Sequence, residues 1–224
     1  MPSLTYTHQN GLVTLTLQRP DLDEGMITAL LHHLSVLENH RSAHLLLLRG
    51  TGQFCRGLST DTVAQWRAIG NLAPVTAALA PLAALLRLLR QFSVPTIALL
   101  EGEVGGCGTA LAACCDLRLA TPESYYCWAE PATKAALPLT LAVLQQQLGP
   151  TVGLLRSDKL NATEAQAAGL VQVIAPDMPT ALARWEDTLR EGKAAKTELL
   201  SLRAEIFKES IWVERSARML LETQ

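Results

Sequence analysis

The sequence predicts an α/β fold. Strand-length apolar runs alternate with helical patterns along the whole chain. The hydrophobic content is 49% but only 4% of residues are aromatic, so the core must be Leu, Ala and Val, which suits helices packed on a sheet. Two of the predicted strands run straight into glycine-rich junctions, one after residue 48 and one after residue 100. The 224 residues suit one domain with a substantial core, and no repeat or linker splits them.

Taken in order, residues 4–7 and 12–17 read as two strands joined at Gln9-Asn10-Gly11, since Asn-Gly is the favoured two-residue hairpin signal. Residues 25–40 are helical, with Ile27, Leu30, Leu31, Leu34 and Leu37 on one face. His32, His33 and His40 fall off that face, and no ligand set accompanies them, so they read as surface histidines. Residues 45–48 form a wholly apolar central strand, and Gly50, Gly52 and Gly57 follow around Phe54 and Cys55. Residues 61–92 are helical, with breaks expected near Pro74 and Pro81.

Residues 96–100 are a buried strand and 117–120 another, with a further strand at 125–128. Residues 139–148 make a helix that ends at Gly149-Pro150. Asn161-Ala-Thr-Glu164 reads as a capping box opening a short helix that stops at Gly169. Its first three residues, Asn161 to Thr163, match a glycosylation acceptor, which means nothing in a cytosolic chain. Residues 170–174 are the last strand, and 179–222 are helical and amphipathic, weakest at Gly192.

The net charge of −2 gives no electrostatic case for nucleic acid or an anionic membrane. The N-terminus lacks a basic segment followed by an apolar one, and no run reaches membrane-spanning length. The five cysteines, Cys55, Cys107, Cys114, Cys115 and Cys127, show no C-x-x-C pair. They read as reduced thiols of a cytoplasmic protein with no metal site.

The chain is organised around residues 94–116. A strand there leads through Gly102, Gly105, Gly106 and Gly108 into a slim helix of small residues. Such a helix start points free N–H groups at a phosphate, a carboxylate or a polarised carbonyl. Neither a P-loop nor a dinucleotide fingerprint is present. Close helix–strand packing alone would also account for the glycines.

Three local patterns stand in one order: Phe54-Cys-Arg-Gly-Leu-Ser59; Pro95-Thr-Ile-Ala-Leu-Leu-Glu-Gly102 leading to Gly105-Gly-Cys-Gly108 and Cys115-Asp116; and Ala129-Glu130-Pro131. On these the chain resembles the crotonase, or enoyl-CoA hydratase/isomerase, superfamily over roughly residues 4–205. The resemblance implies a spiral of ββα units over residues 1–178 and a helical trimerisation region over 179–224. It implies a homotrimer or hexamer, and an acyl thioester substrate carried on coenzyme A or on an acyl carrier protein. No separate cofactor is implied.

By the same resemblance the backbone N–H groups of Leu58 and Cys107 form an oxyanion hole, with Gly57, Gly106 and Gly108 against the substrate. Donors of that kind are each worth roughly 3–4 kcal/mol where charge develops. The first glutamate of the hydratases is Ala110 here, and the second is Glu130. One glutamate suffices to move a proton between the α and γ carbons of an acyl thioester or to protonate a leaving hydroxyl. The aromatic run before Glu130 argues for partial burial and a raised pKa.

The resemblance therefore implies an enoyl isomerase or a hydratase/dehydratase, nearest the polyketide β-branching branch. Its rivals are a decarboxylase of the same fold and a non-catalytic partner subunit. Asp61 and Glu103 read as solvated or supporting residues, Lys134 stands where relatives often have glycine, and Cys107 reads as a structural thiol. Ser59 replaces a usual aspartate, residues 135–140 replace a usual glycine-rich turn, and the C-terminus is shorter than in relatives by one helix.

Overall fold

A computed structural model describes residues 3–38, 43–149, 159–183 and 209–222. Strands β1 (Leu4–Gln9) and β2 (Leu12–Leu17) pair as an antiparallel hairpin. Asn10 and Gly11 both take positive φ, 51° and 81°, which is what a two-residue turn of the primed type requires. After β3 (Asp21–Leu22), Asp23 Oδ1 accepts the Met26 N–H and opens α1 (Glu24–Glu38). The buried face of α1 is Met26, Ile27, Leu30, Leu34 and Leu37. His33 instead stacks on Tyr6, with ring centroids 5.5 Å apart.

Strand β4 (Leu45–Gly50) leads to β5 (Gly57–Leu58), then α2 (Thr60–Ile69) and α3 (Leu72–Arg90). The helical break expected at the prolines lies instead at Gly70-Asn71. Gly70 ends α2 in the left-handed region, and the Asn71 side chain accepts the Ala73 N–H to start α3. Pro74 falls in the first turn of α3, where its missing N–H costs nothing, and Pro81 sits inside the helix without ending it. By length and composition α3 is apolar enough to cross a membrane, contrary to the expectation from the sequence. Here Val75, Leu79, Leu82, Leu85, Leu86 and Leu89 are buried within the protein core instead.

The remainder runs β6 (Thr96–Leu100), β7 (Glu103–Val104), α4 (Gly106–Ala113), β8 (Leu117–Ala120), β9 (Tyr125–Cys127) and α5 (Pro138–Leu148). Then come β10 (Lys159–Asn161), α6 (Ala162–Ala167), β11 (Val173–Ile174) and α7 (Glu209–Glu222). The capping box of Asn161 and Glu164 forms as expected. The last strand is shorter than the apolar run that suggested it. Of the helix expected over 179–222, residues 184–208 lie outside the described part.

The large sheet has the order β1-β2-β4-β6-β8-β11, parallel apart from the first hairpin. A second layer holds the short strands: β3 with β5, and β10-β9-β7. A parallel bridge from Cys55 to Val104 links the two groups. Each turn of the chain thus places one strand in the large sheet, one in the small layer and, in most turns, a helix after them. The result is the expected ββα spiral, with the junctions between the layers stacked on one another.

Candidate active site

The two glycine-rich junctions meet at that stack. Gly105 N–H donates to the Cys55 carbonyl at 2.9 Å, and the Arg56 N–H donates to Pro20 at 2.6 Å. A Cβ on Gly105 would stand 2.7 Å from the Arg56 carbonyl oxygen, so only glycine permits this approach. Helix α4 is buried at all eight positions. Its small residues allow close packing, and a Cβ on Gly108 would lie 2.2 Å from the Cys55 carbonyl oxygen. Asp116 ties the base of this unit together: its Oδ2 accepts both the N–H and the hydroxyl of Thr96, at 2.8 and 2.9 Å.

This packing aims two backbone amides at one point. Leu58 closes β5, and Cys107 is the second residue of α4, so its N–H has no acceptor within the helix. Both donate to the Glu130 carboxylate: Leu58 N to Oε2 at 2.7 Å and Cys107 N to Oε1 at 2.6 Å. Glu130 is fully buried, beyond the partial burial its aromatic neighbours suggested. It is held by a tight turn in which its N–H donates to Ala135 and its carbonyl accepts from Lys134, at 3.0 and 2.9 Å. Lys134 takes a φ of 55° there and is exposed to solvent.

Burial pushes the Glu130 carboxyl up to about 7, against the contrary pull of the Cys107 thiol and the two N–H donors. Burial also holds the Cys107 thiol well above its ordinary range, and the Glu130 charge adds to that. A thiol so placed stays protonated and is no nucleophile. The Thr140 hydroxyl of α5 donates to its sulfur at 3.7 Å.

Of the residues singled out in the sequence, Leu58, Cys107, Glu130, Gly57 and Gly106 converge. Cβ atoms on Gly57 and Gly106 would lie 2.3 and 2.5 Å from the Glu130 oxygens. Gly108 packs on the Cys55 backbone, away from the carboxylate. Ala110 is buried and supplies no acid or base. Asp61 is exposed, and Glu103 accepts the Tyr125 hydroxyl at 3.0 Å. Two groups were not singled out. Thr109 Oγ1 bridges the Val104 and Cys127 carbonyls at 3.1 and 2.8 Å and fixes the start of α4 to β9. Arg56 pairs with Asp21 through two bonds, at 3.0 and 2.8 Å, across β5 and β3. Among the described residues no His, Cys, Asp and Glu cluster has a metal-binding arrangement. A cavity of about 770 Å³ lies between α3 and α7, lined by Leu72, Thr76, Ala80, Ala83 and Val213 among others, and none of the converging residues lines it.

A ββα spiral with its junctions stacked in this way is the crotonase class of fold. The sequence matches the enoyl-CoA hydratase/isomerase family over residues 7–208, and the chain belongs to that family. No curated protein matches it. Among solved structures it is similar to an enoyl-CoA hydratase from Bacillus halodurans, with a TM-score of 0.83 at 20% identity, covering 99% of this chain and 96% of the other. An enoyl-CoA hydratase from Mycobacterium avium gives 0.83 at 22% identity, with 98% and 91% covered. An enoyl-CoA hydratase/isomerase family protein from Silicibacter pomeroyi gives 0.79 at 27% identity, with 98% of each chain covered.

Proposed function

We propose that the chain acts on acyl thioesters of coenzyme A or an acyl carrier protein. Leu58 and Cys107 would hold the thioester oxygen, and Glu130 would carry the single proton of an enoyl isomerisation or a hydration/dehydration. The observation that supports this most is the shared target of two amides that lie 72 and 23 residues from Glu130 in sequence. Amides fixed by strand and helix need no reorganisation when an enolate develops before them, so they favour the transition state over the ground state. A carboxyl with a pKa of about 7 is suited to both give and take a proton near neutrality. With Ala110 in place of a second acid, the reading favours one-proton chemistry: Glu130 takes a proton from the α carbon and returns it to the γ carbon, or takes it from the α carbon and delivers it to the leaving hydroxyl, which departs as water. It needs no resident cofactor. Assembly as a trimer or hexamer in the cytoplasm belongs to the same proposal.

The non-catalytic partner subunit remains the second reading, favoured by one observation: the Glu130 carboxylate fills the very position the thioester oxygen would take. A mass-spectrometric assay separates the two. Purified protein is given 2-enoyl, 3-enoyl, 3-hydroxy-3-methylglutaryl and 3-methylglutaconyl thioesters, on coenzyme A and on carrier protein. Loss of water or movement of a double bond that vanishes in Glu130→Gln is the expected result. Loss of carbon dioxide that survives the substitution would instead identify a decarboxylase. No turnover on any thioester would leave the partner subunit.

A further inference from the structure

The proposed chemistry asks two things of one place. The thioester oxygen must sit between the Leu58 and Cys107 amides, and the Glu130 carboxylate already sits there, 2.7 and 2.6 Å from the two nitrogens. No room exists for both. Gly57 and Gly106 line the carboxylate so closely that even a methyl group on either would strike its oxygens. We infer that Glu130 caps the oxyanion hole of the free protein, and that an acyl thioester enters only by displacing the carboxylate, with uptake of one proton. This rests on the thioester reading for its second half; the cap itself does not.

The proton follows from what the carboxylate loses. Glu130 is fully buried, and the donors that sustain its charge are the two amides and the Cys107 thiol. Once a thioester oxygen takes the amides, the charge is left with less support in a buried site, and the neutral acid is favoured. The groups that face it do not compensate. Cys107 on α4, Cys55 ahead of β5 and Cys127 on β9 all feel the Glu130 charge, and burial raises all three, so they stay neutral through the physiological range. Ion pairs at the rim, such as Arg56 with Asp21, are already matched. Displacement thus converts the cap into a loaded acid. Binding arms Glu130 to protonate the α carbon as water adds to a 2-enoyl thioester, with the water's proton returning to the carboxylate; an isomerisation, which begins with loss of a carbon-bound proton to the carboxylate, draws on the ionised fraction of the bound residue.

Two measurements test the cap and the exchange separately. In the free protein, amide NMR of Leu58 and Cys107 is followed from pH 5.5 to 8.5. Both resonances should move together with one midpoint near 7 in the wild type and stay still in Glu130→Gln. Leu58 and Cys107 amides whose resonances are the same in the wild type and in Glu130→Ala at every pH overturn the cap, whatever the protein does with thioesters. Binding of butyryl-coenzyme A, which is saturated and has no double bond to shift or hydrate, is then measured by calorimetry in two buffers of different ionisation enthalpy. Its Kd should weaken about tenfold per pH unit above 7 with uptake of about one proton. In Glu130→Ala it should be tighter and pH-independent. Tight binding with no proton uptake in the wild type overturns the exchange. Amides that titrate in a protein whose Glu130→Ala variant binds no thioester uphold the cap and sink the thioester reading instead. Glu130→Gln, nearly equal in volume, guards against loss of fold in the alanine variant.

Discussion

A carboxylate taken out of water is unstable unless its lone pairs are met by donors, and even then burial favours the neutral acid. Glu130 shows both effects at once, with donors on each oxygen and a pKa of about 7 against an ordinary 4.5. The stability of the fold must register this. Between those two values the folded protein binds more protons than the unfolded chain, so stability falls as pH rises through that window and is level above it. From pH 5 to pH 8 the loss amounts to about 2–3 kcal/mol. Urea unfolding of wild type and Glu130→Gln at both pH values checks it: the variant should gain on the wild type by that amount at the higher pH. The opposite sign would mean that the amides outweigh burial and hold the carboxyl below its ordinary value.

Helix α4 and the loop after β9 carry the site as elements, and their backbones set different tolerances. Gly108 faces a fixed carbonyl, so Gly108→Ala must push Cys55 and β5 away from α4. The expected cost is about 3 kcal/mol or more, read as a fall in the urea midpoint, in the manner of overpacked cores. Lys134 makes the opposite case. Its φ of 55° strains any residue with a Cβ, and its side chain is exposed, so Lys134→Gly should stabilise the protein by about 0.5–1 kcal/mol, seen as a rise in Tm. The elements that were legible in the sequence are those whose signals are local: the Asn10-Gly11 hairpin, the apolar strands β4 and β6, and the Asn161–Glu164 box. Strands β3, β5, β7 and β10 have two or three residues each and exist because a neighbour pairs with them, so no periodicity marks them. The helix break at Gly70 was masked by two prolines that the structure accommodates. The residues of the site could be singled out by their order along the chain. That Glu130 fills the hole could not, because it depends on contacts across 72 and 23 residues and on the room that Gly57 and Gly106 leave.

At the scale of the whole molecule, the last helix is joined to the site through a cap supplied from afar. Helix α5 starts at Pro138 with no side-chain cap of its own, so its first N–H groups need other acceptors. The Leu139 N–H finds one in Ser216 Oγ of α7, at 3.0 Å and fully buried. Thr140, the next residue, holds the Cys107 sulfur. At the other end of α7 the Leu220 carbonyl accepts Arg67 Nε of α2 at 3.0 Å, and α2 begins two residues after Leu58. The C-terminal helix therefore braces the element beside one amide donor and the element that follows the other. Ser216→Ala leaves a buried N–H without a partner and should cost about 1–3 kcal/mol in unfolding free energy. If α7 also acts through α5, the loss extends to the site, and hydrogen exchange of the Cys107 amide should quicken with that of Leu139. Ser216→Thr, which keeps the oxygen, should restore both. A variant that loses stability while the Cys107 amide exchanges as before would confine α7 to holding the core, and the geometry of the hole would then rest on Gly105, Thr109 and Asp116 alone.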